Sequence, residues 1–212
     1  MKHYSKKLLF LCCFTLVAGI LQAQAVFGIK AGANGSELLG FEKFLHSTEE
    51  ASNINTEMLI GFQAGLSLDM SAGKFFIRPE LEFSQQGFAA KYKWQSEESE
   101  AEKFYMYYMK LPVHFGYKQA LNMDSDLRFG IGGYAAYYLT GNEAMKDAEL
   151  KKLDYGVSAM IAFDYVNTST SIGYEYGLVD VIGMDGWSAY KKANNLPSVR
   201  NGSLRISVAY YF

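Results

Sequence analysis

Polar side chains that could do acid–base chemistry recur at alternate positions in two segments of the chain. In MYYMKLPVHFGYK, His114 lies an even number of positions from Lys110 and Lys118, so all three would share one face of a strand. KFFIRPELEFSQQ carries Glu80 and Glu82 in the same alternating way. A histidine polarised by a carboxylate can act as a general acid or base. The same side chains can also satisfy one another in a narrow polar interior, where buried polar groups need partners. We expect the structural role for His114.

Two further patterns could suggest hydrolysis or metal binding. In both cases the neighbouring sequence lacks the other residues that such a site requires. His46 precedes Ser47, but no nucleophile elbow surrounds the pair. The only other histidine after residue 25 is His114, whereas a metal site needs a cluster of histidine, cysteine or carboxylate ligands. We therefore expect no catalytic residues and no metal site.

Acidic and glycine-rich stretches are the remaining candidates for ligand binding. Four glutamates form one run: Glu97, Glu98, Glu100 and Glu102. The run lacks the Asp/Asn-Gly pattern of a calcium loop and is typical of a solvated loop. Gly130, Gly132 and Gly133 lie in a strand pattern with no helix after them, so they do not form a phosphate loop. The sequence thus predicts no cofactor and no enzyme activity.

The beginning of the chain, MKHYSKKLLFLCCFTLVAGILQAQA, has the order of a secretory signal. Three lysines precede a short apolar run, which ends in Ala23-Gln24-Ala25, a pattern typical of a cleavage site. The run is shorter than the roughly 20 residues of a transmembrane helix. We therefore predict a signal peptide at residues 1–25. Because Cys12 and Cys13 lie inside it, the mature chain has no thiol and no disulfide.

Composition predicts a single β-rich domain over residues 26–212. The formal net charge of -2 gives no electrostatic reason to bind nucleic acid. Aromatic residues make up 16% of the chain and glycine is abundant, while proline occurs only 3 times, which favours strands. No later segment has 18 consecutive apolar residues, so a transmembrane helix is not expected there either.

Eight segments alternate between apolar and polar residues with the two-residue period of a strand. They are VFGIKAGAN, GFQAGLSLDM, KFFIRPELEFSQQ, MYYMKLPVHFGYK, LRFGIGGYAAYYLT, LDYGVSAMIAFDY, TSIGYEYGL and SLRISVAYYF. In the last, Leu204, Ile206 and Val208 alternate with Arg205 and Ser207. Long links, at 35–57, 88–103, 141–151 and 179–202, alternate with short ones. This pattern predicts an all-β fold, an eight-stranded antiparallel up-and-down transmembrane β-barrel. An extra hairpin hidden in 34–58 or 179–202 would widen it.

A soluble eight-stranded calyx would alternate in the same way with its apolar face inside. Three features favour the membrane barrel. Tyr107 and Tyr117 flank Leu111 and Val113, as in an aromatic girdle around a lipid band. The polar face is rich in glycine and poor in charge, which suits a crowded lumen. The final strand ends at Phe212, and with Tyr210 it resembles the signal read by the outer-membrane assembly machinery.

Ten polar residues lie at the alternate strand positions that should face inward. They are predicted to fill the lumen and to leave no continuous water path. They are Lys30, Arg78, Glu80, Glu82, Lys110, His114, Arg128, Asp154, Glu175 and Arg205. If the last hairpin is centred near residue 190, Glu175 stands directly opposite Arg205, and the two should form an ion pair.

Taken together and in this order, the strand segments resemble the PorT-type family of outer-membrane β-barrels over nearly all of the mature chain. The most specific pieces are Arg78-Pro79-Glu80-Leu81 and Lys110-Leu111-Pro112-Val113, although the family leads us to expect an acidic residue where Lys110 stands. The resemblance implies an eight-stranded barrel with a signal peptide in the outer membrane of a Gram-negative cell. Through the family's namesake, it also implies an accessory component of a secretion system.

The long loops are the part of such a barrel that is free to meet a partner. They carry large aromatics among charges: Phe41, Phe44, Trp94, Trp187 and Tyr190. Aromatic residues are enriched at binding hot spots, so Trp94, Trp187 and Tyr190 could anchor a protein or a surface glycan. They could equally pack the loops over the barrel mouth. We expect a structural or interaction protein whose other contacts are outer-membrane lipid and the assembly machinery, with a narrow small-solute channel as the alternative.

Deletion of Phe212 tests the predicted assembly signal. We expect the full chain to fractionate with the outer membrane and to migrate differently on gels when boiled. The truncated chain should reach the membrane at a reduced level, because its last strand loses its terminal aromatic. Quantitative blotting of outer-membrane fractions measures this, and an unchanged level would contradict the prediction.

Overall fold

The computed structural model describes residues 24–41, 54–94, 97–98, 101–145, 150–183 and 187–212. Most of the predicted signal peptide lies outside this part of the chain, as do Phe44, the His46–Ser47 pair and Glu100. The side chains of Trp94 and Trp187 also lie outside the described residues.

Eight long antiparallel strands close into a barrel, which confirms the predicted fold class. With one additional short strand, the described residues contain nine strands: β1 (Gln24–Leu39), β2 (Ile54–Ala72), β3 (Phe75–Trp94), β4 (Glu97–Glu98), β5 (Glu102–Ala120), β6 (Ser125–Gly141), β7 (Leu153–Tyr165), β8 (Thr168–Gly177) and β9 (Arg200–Tyr211). Each barrel strand pairs with its neighbour in sequence, and β1 pairs with β9 to close the ring. The two-residue β4 pairs only with the end of β3 and is not a barrel strand. Closure leaves the transmembrane part without an open edge.

The outer surface is apolar and the inner surface is polar, the reverse of a soluble calyx. Strand β7 alternates strictly between exposed and buried residues along its whole length. Its exposed members include Val157 and Ile161, and its buried members include Asp154 and Ser158. A surface built this way is stable only in contact with lipid, because its apolar groups would otherwise face water. The structure therefore rules out the calyx interpretation.

Aromatic side chains form a band near each end of the outer surface. At the end with the short turns, Phe27 and Phe212 stack with ring centroids 6.4 Å apart, and Phe75 lies 6.2 Å from Phe115. At the other end Phe83 stacks on Tyr107, with centroids 5.9 Å apart. Between the bands the outer residues are aliphatic or small. Girdles around an apolar band are typical of transmembrane barrels, whose lipid-facing zone is about 25 Å tall.

The connections at the long-loop end are shorter than the sequence predicts, because the strands continue past the aromatic band. Strand β1 runs to Leu39, β2 begins at Ile54 and β3 runs to Trp94. The predicted loops 35–57 and 88–103 are therefore partly strand. Alternation could not reveal this, since Phe88, Ala89 and Ala90 are all buried over the barrel mouth and break the two-residue period.

The described part of the last long connection contains a helix and no extra hairpin. Helix α1 (Trp187–Ala193) lies in it, and a single bridge joins Ile182 to Leu150. A short 3-10 helix (Glu143–Met145) follows β6. Among the described residues, no helix has the length and apolar character needed to cross a membrane.

The predicted register of the last hairpin is wrong by two residues. Arg205 stands opposite Gly173, and Glu175 stands opposite Ser203. The connection between β8 and β9 contains α1, and the pairing is centred one residue earlier than the position near residue 190 that was expected. A shift of two positions along a strand keeps every side chain on the same face. The inward set is therefore unaffected.

Replacement of Val166 by glycine tests the tight turn between β7 and β8. Val166 has a φ of 53°, a conformation that is unfavourable for a β-branched residue. We expect Val166→Gly to raise the free energy of unfolding by about 1 kcal/mol, because glycine adopts positive φ without strain. Val157→Gly, in the regular part of β7, should instead destabilise the barrel. Urea unfolding in lipid vesicles measures both, and a loss of stability in Val166→Gly would contradict the prediction.

Candidate functional site

All ten residues predicted to point inward are buried in the structure: Lys30, Arg78, Glu80, Glu82, Lys110, His114, Arg128, Asp154, Glu175 and Arg205. They lie on the inward parity of β1, β3, β5, β6, β7, β8 and β9. The structure brings most of them into two charged clusters at different heights. His114 and Asp154 make separate hydrogen bonds.

The larger group, which we call the central charge cluster, consists of Lys30, Glu80, Glu82, Lys110, Glu175 and Arg205. It contains three cationic and three carboxylate side chains. The cluster is therefore electrically neutral, with every member almost completely shielded from solvent. Such neutrality matters because an uncompensated charge in a low-dielectric interior costs several kcal/mol.

Shared carboxylates hold the central charge cluster together. Lys30 Nζ lies 2.7 Å from Glu80 Oε2 and 2.5 Å from Glu82 Oε1. Arg205 Nη1 lies 3.1 Å from Glu82 Oε2 and also donates to Glu175, whose other oxygen accepts from Lys110. The cluster joins β1, β3, β5, β8 and β9 across the lumen. It therefore connects strands that are not neighbours in the sheet.

The shifted register explains how Arg205 reaches Glu175. The residue directly opposite Arg205 is Gly173, which has no side chain. The guanidinium can therefore pass over Gly173 and meet the carboxylate two residues along β8. Ion pairing between these two residues was expected, but the contact is diagonal rather than direct.

A second group lies toward the end with the short turns, and we call it the turn-end charge cluster: Asp69, Arg78, Arg128 and Asp164. Asp69 Oδ2 lies 2.9 Å from Arg78 Nη2 and 2.6 Å from Arg128 Nη1, and Arg128 also pairs with Asp164. The Arg78 guanidinium lies over the rings of Phe76 and Tyr211, 5.6 and 5.4 Å from their centroids. Two cations and two carboxylates again give a neutral group.

Asp69 and Asp164 were missed as members of the lumen set. Their alternation already placed them on the polar face of their strands. Their position along the barrel axis could not be predicted from single segments. It depends on the register between β2 and β3 and between β6 and β7, which brings the two aspartates beside Arg78 and Arg128.

His114 and Asp154 are held by neutral partners. His114 Nε2 lies 3.1 Å from Ser158 Oγ, so its hydrogen-bond partner is a hydroxyl rather than Glu80 or Glu82. Asp154 Oδ2 accepts from the Tyr134 hydroxyl at 3.1 Å and from Asn201 Nδ2 at 2.8 Å. Both arrangements are enclosed in the lumen. Within the part of the chain that the structure describes, no group of three or more His, Cys, Asp or Glu could hold a metal ion.

Apolar side chains close the lumen at the long-loop end. We call this group the mouth cluster: Leu38, Phe88, Ala90, Met106, Tyr108, Tyr134, Ala136, Met145, Val181 and Val199. Strand ends and loop residues both contribute to it. Phe41, one of the predicted loop aromatics, packs against Phe88 with ring centroids 4.9 Å apart. Its side chain covers the mouth because burial of an aromatic ring is favourable.

The other loop aromatics have different outcomes. Tyr190 is 57% exposed on α1, and its carbonyl accepts hydrogen bonds from the backbone and side chain of Asn194. Trp94 ends β3 and Trp187 begins α1, but their side chains lie outside the described residues. At the opposite end, Tyr210 and Phe212 face outward and pack edge to face, with ring centroids 5.5 Å apart.

An antiparallel eight-stranded barrel with an apolar outer band, aromatic girdles and a polar filled lumen defines the class of transmembrane β-barrels. Residues 22–183 match the family model described as the outer membrane protein beta-barrel domain, and the chain belongs to this family. The protein is therefore an outer-membrane barrel. The match is to this general family of outer-membrane barrels and not to the PorT-type group in particular.

Solved structures of outer-membrane proteins share low sequence identity with the chain. Neisserial surface protein A is 15% identical, with a TM-score of 0.46, and the match covers 89% of this chain and 99% of that one. Ail of Yersinia pestis, solved with the heparin analogue sucrose octasulfate, is 13% identical, with a TM-score of 0.42 and coverage of 90% and 99%. A search of curated proteins found no match.

Neutral replacement of Glu175 and Arg205 tests the central charge cluster. Glu175→Gln and Arg205→Gln should each lower the free energy of unfolding by roughly 3 kcal/mol, because each leaves a buried charge unpaired. The double replacement should cost clearly less than the two single costs added together. Urea unfolding of the barrel in lipid vesicles provides all three values.

The exposed pair of Lys91 and Glu57, with Nζ and Oε1 2.6 Å apart, is the matched control. Glu57→Gln should cost less than about 1 kcal/mol, since solvent screens this pair. Strict additivity of the Glu175 and Arg205 effects would show that the two side chains do not interact.

Proposed function

We propose that the protein is a non-conducting outer-membrane barrel that acts as a structural or interaction protein through its long-loop end. The filled lumen carries this proposal. The central charge cluster spans the interior between five strands, and the mouth cluster closes it with apolar side chains. An eight-stranded barrel has an interior only wide enough for side chains.

The alternative is a narrow channel for a small solute. A permeating solute would have to separate ion pairs that satisfy each other and then cross a layer of packed apolar groups. Opening such a path leaves buried charges unpaired, which costs several kcal/mol for each one. The filled lumen therefore favours contact at the rim over transport.

The orientation and processing of the chain are part of the proposal. An even number of strands places both ends of the barrel domain on the periplasmic side, so the long loops face the outside of the cell. The signal peptide at residues 1–25 would be removed during export. The PorT-type resemblance adds a finer proposal, that the rim serves as an accessory contact in a secretion system.

The contact residues that we propose are Trp94, Trp187 and Tyr190. They lie at the end of β3 and on α1, at the long-loop rim, and Tyr190 is exposed. Large aromatic side chains provide contact area at a low entropic cost, which suits the recognition of a protein or a glycan.

Conductance measurements test the closed lumen. Purified barrel inserted into planar lipid bilayers should produce no steady conductance steps, because the two charge clusters and the mouth cluster leave no water path. A porin of known conductance in the same membrane verifies that insertion is detectable. Large and stable steps from the wild-type barrel would contradict the proposal and support the channel.

Replacement of the rim aromatics tests the interaction role. Alanine at Trp94, Trp187 and Tyr190 together should leave the heat-modifiable gel shift intact and abolish crosslinking to partners on intact cells. Leu121→Ala with Met123→Ala, two exposed residues at the turn end, is the matched control and should leave crosslinking unchanged. Equal partner capture by the triple variant and the wild type would exclude these aromatics as anchors.

A further inference from the structure

Three strands continue beyond the last residue pair that β1 makes with β2. That pair is Ser36 with Leu59, whereas β2 and β3 stay paired as far as Ile54 with Tyr92, and β3 and β5 as far as Ala90 with Glu102. We call this projecting part the rim sheet, formed by residues 54–58 of β2, 88–92 of β3 and 102–106 of β5.

Among the described residues, the rim sheet ends at β2, because β1 stops pairing with β2 after Ser36. Beyond Ser36, β1 pairs only with β9, as far as Leu39 opposite Arg200. Gly40 then adopts a φ of 83°, and Phe41 packs on Phe88 over the mouth. The strand that accompanies β2 through the membrane thus leaves it to help close the lumen.

The rim sheet is held rigid from the inside of the barrel. Phe88, Ala90 and Met106 belong to the mouth cluster and are buried. Phe88 also stacks on Phe104 of the neighbouring strand, with ring centroids 4.7 Å apart. A sheet packed in this way keeps its backbone groups in fixed positions, and such preorganisation reduces the entropic cost of binding.

The two edges of the rim sheet differ. At the β5 edge, Asn142 acts as a cap: its Nδ2 donates to the Lys103 carbonyl at 2.8 Å, and its Oδ1 accepts from the Tyr105 amide at 3.3 Å. The Asn142 amide also donates to the Tyr105 carbonyl at 3.1 Å. At the β2 edge, no described residue hydrogen-bonds to the side of residues 54–58 that faces away from β3.

We propose that residues 54–58 of β2 bind an extended segment of a partner protein, which adds to the rim sheet as a further strand. This inference rests on the proposed interaction role and names the chemistry of the partner. Five edge residues span about 16 Å, and their outward amides and carbonyls alternate at the spacing of a strand. An extended polypeptide is the group that matches this array, as in other cases of strand addition. Recognition is mainly through the main chain.

Hydrogen exchange of the full barrel in detergent tests whether the edge is open. Between residues 54 and 58, amides that point to β3 should exchange slowly and the alternate amides should exchange at least tenfold faster. The Tyr105 amide, capped by Asn142, should be slow. Slow exchange at all of residues 54–58 would mean that the chain itself covers this edge, and would overturn the proposal.

A peptide probe tests binding directly. We would use a fluorescent ten-residue peptide of alternating threonine and valine with lysines at both ends. It should bind saturably and slow the exchange of the fast amides in residues 54–58. Binding without that protection would place the peptide elsewhere and overturn the proposal.

Proline variants provide the matched comparison. Neighbouring amides point to opposite sides of a strand, so one of Thr56→Pro and Glu57→Pro removes an outward donor and the other removes a ladder bond. The outward variant should lose at least tenfold in peptide affinity and keep its heat-modifiable gel shift. Glu102→Pro, at the first residue of β5, should bind like the wild type. Equal peptide affinity in the two proline variants would overturn the proposal that the peptide binds at this edge. The proposed closed lumen is tested separately, by the conductance measurement.

Discussion

The balance of charge inside the lumen is the constraint on which the rest of this barrel depends. Six ionised side chains meet in the central charge cluster, and four more meet in the turn-end charge cluster. Each group contains equal numbers of cations and carboxylates. A single uncompensated charge at this depth would cost several kcal/mol, so each residue is tolerated only because its partners are in place. Some partners come from strands that are not neighbours, as when Lys110 of β5 pairs with Glu175 of β8, so the pairing also constrains how the strands close into a ring.

That pairing and the apolar outer surface follow from the same alternation. In β7, the strand that presents Asp154 and Ser158 to the lumen presents Val157 and Ile161 to lipid. A shift of one residue would bury the aliphatic side chains in a polar interior and expose carboxylates to hydrocarbon, so both surfaces oppose it. A shift of two residues keeps the faces and changes only the contacts. Contact with lipid therefore does not distinguish registers that differ by two residues. The ion pairs do distinguish them, because only one of these registers brings the charged partners together.

The same distinction explains what could be predicted from the sequence. Parity is a local property, so the inward positions of residues such as Lys30 and Arg205 could be read from single segments. Register is not local: Glu175 was placed opposite Arg205, although Gly173 stands there and the contact is diagonal. The contribution of Asp69 was missed for the same reason, since its height beside Arg78 depends on the pairing of β2 with β3. The ends of the strands could not be predicted where Phe88, Ala89 and Ala90 pack over the mouth, because the sequence there no longer alternates between apolar and polar residues.

Closing the lumen and shaping the rim are one structural event in this barrel. Phe41 packs on Phe88 beyond Ser36, where β1 stops pairing with β2, and no described residue pairs with residues 54–58 on the side away from β3. The buried side chains that seal the mouth also hold the rim sheet in position. If β1 instead followed β2 to its end, the edge would be paired, and the mouth would lose the aromatic contact that covers it. The residues that pack over the mouth thus also define the geometry of the rim, because both depend on where β1 stops pairing with β2.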